Sequence, residues 1–101
     1  MANITKSQIK KRKQELYERI QNLIDGELAD IKLDLDILKD EVEEESGSIE
    51  PYENKDELTP SQEERQEWLD NAVSLLEDTI STLEEVEESL EQAQGNLEEI
   101  E

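Results

Sequence analysis

The side chains in this sequence with chemical potential are carboxylates, and they are spaced by sevens. Leu69, Leu76, Leu83, Leu90 and Leu97 are each followed by an acid: Asp70, Glu77, Glu84, Glu91 and Glu98. On a helix these acids form a column with a repeat of about 10.5 Å, flanking the leucine stripe. Column positions of this kind normally meet opposite charges on a partner helix. Yet residues 76–101 hold ten carboxylates and no lysine or arginine. That chemistry is capture of a cationic surface.

Other chemistries are poorly supplied. The chain of 101 residues has no Cys and no His, so it can build neither a thiolate nucleophile, a disulfide, a His-based triad nor a His/Cys zinc site. DIKLDLDILKDE carries acids at 30, 34, 36, 40 and 41 but lacks the glycine and loop spacing of an EF-hand. Carboxylate pairs are plentiful, but on solvated helices nothing separates their pKa values for acid–base work. No enzyme activity, cofactor or dedicated metal site is expected.

Composition bounds the scaffold that must position the acids. Thirty acids face ten bases for a net charge of -20, apolar residues make up 33%, and the aromatics are Tyr17, Tyr52 and Trp68. Such numbers border on those of disordered chains, but a disordered chain would not keep a seven-residue rhythm. Val73 and Ile80 complete a 4-3-4-3 pattern with the leucines as far as Leu83. Val86, Ala93 and Ile100 then supply the second column, and the successive steps of three at 80, 83 and 86 predict a local stammer. Upstream, Ile9, Leu16, Ile20, Ile24, Leu28, Ile31, Leu35, Leu38 and Val42 step by threes and fours, apart from a gap at Lys13. Gly26 lies inside this stretch and costs the helix about 1 kcal/mol relative to Ala, so one helix with a weak point is expected.

Start signals bracket both segments. Thr5 and Gln8 form a capping box with Ile4 and Ile9 at the staple positions, and Thr59, Pro60 and Gln62 repeat the device. SGSIEPYENKDEL between them is rich in turn formers. The expected architecture is all-α, a single domain over 1–101. Its helices span about 5–45 and about 60–100, and the loop spans about 46–59. Gly95-Asn96 could stop the second helix early, but Leu97 and Ile100 keep phase, which favours continuation.

The charge map predicts that the helices fold back as an antiparallel two-helix coiled-coil hairpin. Residues 1–20 hold six bases and two acids, whereas 67–101 hold twelve acids and no base. Folding sets Lys6, Lys10, Lys11, Arg12, Lys13 and Arg19 beside the glutamates of 84–101. Each end opposes its own helix dipole, and the two compensate. KSQIKKRK could also suggest nucleic-acid binding, but the net charge repels phosphate and stacking aromatics are missing, so direct DNA or RNA binding is not expected. Leu23, Leu33 and Ile37 widen the first helix's apolar stripe beyond one seam, and a homodimer forming a four-helix bundle would bury them. Trp68 and Tyr17 are expected to pack near opposite ends of the bundle. Tyr52 either covers the closed end or anchors a partner. No apolar run marks a signal peptide or a membrane span, and a cytoplasmic protein is the simplest expectation.

With ten acids over 76–101, charge recurs about every 4 Å along the helix, close to the roughly 3.4 Å of a single nucleic-acid strand. The acids of the first helix raise the density further. Clusters such as EVEEES and LEEVEESLE, on a short all-helical acidic chain, resemble the small DNA-mimic inhibitors that phages use against restriction, CRISPR or other nucleic-acid enzymes. That resemblance implies occlusion of a basic nucleic-acid-binding surface in a partner protein, without catalysis, in the host cytoplasm. The residues expected to carry it are Asp34, Asp36, Asp40, Asp70, Glu77, Asp78, Glu84, Glu85, Glu88, Glu91 and Tyr52. Two other readings stay open: a soluble coiled coil whose acids only solubilise it, and a structural adaptor or scaffolding protein binding through the apolar face of the first helix.

Overall fold

The computed structural model describes residues 3–101, and within them every regular element is helical. Helix α1 (Lys6–Leu23) passes through a π-helical turn (Ile24–Leu28) into α2 (Ala29–Gly47), and α3 (Pro60–Glu98) follows a loop. Two helical arms joined by one loop have the connectivity of a helical hairpin. Both predicted caps are present. The Thr5 hydroxyl accepts from the Gln8 backbone N–H at 3.1 Å while the Gln8 side chain accepts from the Thr5 N–H at 2.8 Å. Thr59 and Gln62 repeat the exchange at 3.2 and 2.9 Å, with Pro60 in the first turn of α3. These bonds satisfy amide groups that the first turn would otherwise leave open. Helix α3 runs through Gly95 as the phase of Leu97 indicates, ending at Glu98.

The weak point at Gly26 takes the form of the π-helical turn IDGEL. Its cause lies in the spacing of the covered residues Ile20, Ile24, Leu28 and Lys32, three consecutive steps of four. At about 100° per residue, twelve residues of α-helix would swing the stripe about 120° off its line. A wider turn absorbs most of that drift, and Ile24 and Leu28 are both buried, each 7% exposed. Beyond the turn, Lys32, Leu35, Lys39, Val42, Ser46 and Ile49 are the covered positions.

Helix α3 departs from the expected stammer. Its covered positions include Gln66, Leu69, Val73, Leu76, Ile80, Leu83, Glu87, Leu90, Gln94 and Leu97, an unbroken 3-4 alternation. The second column therefore continues through Glu87 and Gln94 rather than shifting to Val86 and Ile100, which are 41% and 39% exposed. A strict heptad keeps one helix face on its partner, whereas a shifted column would need local overwinding.

The chain divides into two compact units, residues 1–31 with 83–101 and residues 32–82. In the first, Lys13 lies against Glu98 and Ile100, and Tyr17 and Gln21 lie against Gln94, so the segments run antiparallel. In the second, Glu45 meets Arg65 and Ser46 meets Gln66 and Asp70, again antiparallel around the loop. The loop turns at Tyr52, where the Lys55 N–H donates to the Tyr52 carbonyl at 3.0 Å and Asn54 adopts φ 72°. Asn is among the few side chains that tolerate that left-handed conformation. Trp68 corrects the expectation of packing: it is 69% exposed, because its neighbour Leu69 takes the seam position.

Candidate functional site

Counting from the seam shows what each flank of α3 carries. Immediately beside the column Gln66–Val73–Ile80–Glu87–Gln94, on one side, stand Asp70, Glu77, Glu84, Glu91 and Glu98. On the other side stand Ala72, Thr79, Val86, Ala93 and Ile100, and beyond them Trp68, Leu75, Thr82, Ser89 and Asn96. One flank is wholly acidic and the other uncharged.

In the unit of residues 1–31 and 83–101, Glu84, Glu85, Glu88 and Glu91 are all exposed on the acidic flank. A shallow depression there is bounded by Tyr17, Gln21, Asp25, Glu91 and Glu98. Tyr17 is half-buried, and the Glu98 carboxylate raises its phenol pKa, first by a side-chain hydrogen bond, then by charge repulsion, with burial adding to both. Gln94, only 5% exposed, closes the floor: its Nε2 donates to the Tyr17 carbonyl at 3.3 Å and to Gln21 Oε1 at 3.0 Å. Across the seam Ile4, Ile9, Leu16, Leu97 and Ile100 surround a second depression, with Arg12 and Lys13 beside them.

The basic start of α1 meets the acidic end of α3 through backbone rather than carboxylates. Lys13 Nζ donates to the carbonyls of Ile100 and, at 3.5 Å, Glu98. A cation on the last carbonyls of a helix satisfies acceptors that lack intrahelical partners and favours its dipole. Arg12 and Arg19 make no hydrogen bond or ion pair among the described residues and stay exposed.

In the unit of residues 32–82, Asp36 and Asp40 on α2 share the acidic flank with Asp70 and Glu77, and Asp78 stands next to it; all are exposed. Asp34 falls on the opposite side of α2, so it does not join them. Asp70 is already engaged, accepting from the Ser46 hydroxyl at 2.5 Å. Tyr52, 63% exposed, borders a depression with Glu45, Gln62 and Arg65, beside the Arg65–Glu45 ion pair at 2.5 Å.

No protein-family model, curated protein or solved structure matches the chain. Its function must therefore be argued from these surfaces. Among the described residues no group of His, Cys, Asp or Glu side chains gathers to hold a metal ion, and no helix is long and apolar enough to cross a membrane. Sequence reasoning missed Gln94 and Ser46 as bonding partners; it placed Lys13 beside the end of α3, where its acceptors are backbone carbonyls. The signal for the first was present: Gln66, Val73, Ile80, Glu87 and Gln94 recur strictly by seven.

Proposed function

We propose that the chain is a non-enzymatic acidic binding protein that occupies the basic nucleic-acid-binding surface of a partner protein, as a DNA-mimic inhibitor would. The observation that supports this is the segregation of charge on α3. Exposed carboxylates at Glu77, Asp78, Glu84, Glu85, Glu88 and Glu91 share one side, with no base on α3 after Arg65. Uniform charge on a rigid helix attracts a cationic groove, and clustering concentrates that field. Within the unit of residues 32–82, Asp36 and Asp40 on α2 add to Asp70 and Glu77, and Tyr52 offers an aromatic anchor in the loop. The proposed setting is the cytoplasm, that of the host if the protein is viral, and two copies are proposed to associate into a four-helix bundle.

The test is capture from host lysate at low salt, repeated with competitor DNA. Captured proteins should be nucleic-acid binders that salt or DNA releases, and the triple variant Glu77→Gln, Glu84→Gln, Glu91→Gln should capture far less. Capture that survives high salt and ignores DNA would overturn the reading. One observation favours a second reading, an adaptor: Leu33 and Ile37, on the back of α2, are 59% and 48% exposed. Under that reading Leu33→Glu abolishes partner binding and the glutamine variant leaves it intact.

A further inference from the structure

The unit formed by residues 1–31 and 83–101 leaves an apolar face exposed. Ile9, Leu16, Leu23 and Ile31 follow one another at spacings of seven, seven and eight, the extra residue falling in the π-helical turn. They are 36%, 46%, 45% and 46% exposed, and Val86 on α3 and Ile100 just past its end are 41% and 39% exposed on the same side of the seam. Ile9, Leu16 and Ile100 border one depression, which confirms that the two helices contribute to one face. Leu33 and Ile37 belong to the unit of residues 32–82.

Charge selects the occupant and its orientation. This unit carries six bases and thirteen acids, a net -7, against four and seventeen, a net -13, for residues 32–82. A second copy is therefore repelled least here. Within the unit the signs are divided: residues 1–20 hold six bases and two acids, and 83–101 hold eight acids and no base. A two-fold axis parallel to the helices lays the start of α1 of each copy on the end of α3 of the other. An axis across the helices would instead crowd base on base and acid on acid. Arg12 and Arg19 edge the apolar strip on its α1 side, exposed and uncommitted, while Asn96 edges it on the α3 side.

We propose that the protein is a homodimer in which this face packs on its own copy about a two-fold axis parallel to the helices, with Arg12 and Arg19 of one copy alongside the end of α3, at Asn96, of the other. Nineteen residues of helix pair present about 30 Å by about 20 Å, so roughly 600 Å² per copy and about 1,200 Å² in all, the lower end of specific interfaces. The face is isologous, as a two-fold requires. This deepens the association put forward above, and it is independent of the acidic flank.

Sedimentation equilibrium on the full chain at micromolar concentration tests it together with cysteine pairing, which the absence of native Cys makes unambiguous. The wild type should sediment at twice its 11.7 kDa chain mass. Leu16→Glu should sediment at the chain mass with unchanged helical circular dichroism, and Leu33→Glu should stay dimeric. Mixed Arg12→Cys and Asn96→Cys chains should form the hetero-disulfide in a glutathione buffer, while Arg12→Cys alone should not cross-link. A monomeric wild type would refute association itself. A dimer that ignores Leu16→Glu would refute the face, and efficient Arg12→Cys self-linkage would refute the axis.

Discussion

Replacing Gln94 is the sharpest test of where the seam runs. In Gln94→Ala the Tyr17 carbonyl and Gln21 Oε1 each lose a donor, at 3.3 and 3.0 Å in the wild type. A net hydrogen bond contributes about 0.5–1.5 kcal/mol, so the pair contributes about 1–3 kcal/mol. Lost burial of the side-chain methylenes adds several tenths more, and the better helix propensity of Ala removes a few tenths. The expected loss is about 2 kcal/mol, or roughly 8–16 °C in Tm for a chain of this size. Gln94→Leu separates bonding from filling: an apolar group of similar volume at a seam position should leave stability unchanged or raise it. Val86→Thr supplies the contrast. At 41% exposure it should change stability by less than about 0.5 kcal/mol. Thermal and urea unfolding followed at 222 nm, with the chain dilute enough to be monomeric, measure all three. If Gln94→Ala were neutral and Val86→Thr costly, the seam would run through Val86 and the strict heptad would be wrong.

Gly26→Ala should raise Tm by about 4–8 °C, since a Cβ there meets no atom within 4 Å, its φ is not positive, and Ala is better in a helix by about 1 kcal/mol; a lower Tm would mean that the π-helical turn requires glycine. Thr59→Ala should cost about 1 kcal/mol and speed amide exchange in the first turn of α3, leaving exchange at the start of α1 as it was. Tyr17 carries a pH dependence. Its folded pKa lies above the usual 10.0, so the fold favours the protonated phenol; this contribution is complete below pH 10 and is lost as pH rises through the folded value. Stability should therefore fall more steeply above pH 10 in the wild type than in Tyr17→Phe, and equal slopes would remove Glu98 as the cause.

Helix limits, both capping boxes and the continuation through Gly95 were legible in the sequence because each is a local matter. A cap is decided by residues three apart, and a helix end by the phase of the next turn. The seam was harder to read, because it depends on which polar groups find partners across it. Reading only apolar residues makes Val86, Ala93 and Ile100 look like the second column, while the column that is covered runs through Glu87 and Gln94. Polar seam residues are a known device for fixing register at some cost in stability, and Gln94 and Ser46 each act in this way through side-chain bonds to the facing helix. Trp68 misled for the opposite reason. A large aromatic suggests burial, yet its position is decided by Leu69 next to it.

The arrangement of charge on α3 bears on whether the acids do more than keep the chain in solution. Solubility constrains the amount of charge and is indifferent to the flank that carries it. A chain under that demand alone would place glutamates on both sides of the seam, as good helix formers that suit any exposed position. Instead, Asp70, Glu77, Glu84, Glu91 and Glu98 fill one column completely. The opposite column, Ala72, Thr79, Val86, Ala93 and Ile100, holds no charge at all in a sequence that is 40% charged. Sparing those positions leaves exposed apolar surface, which is a liability in a monomer and useful where another surface covers it. Under the proposed function the two flanks take different occupants, one cationic and one apolar. Engineering should be able to impair either without the other: Leu16→Glu should abolish self-association and leave salt-sensitive capture of basic proteins in place, and the glutamine variant of the acidic column should do the reverse. A single change that removed both activities while the helical signal held would show that the flanks act as one surface, and the division of labour argued here would fail.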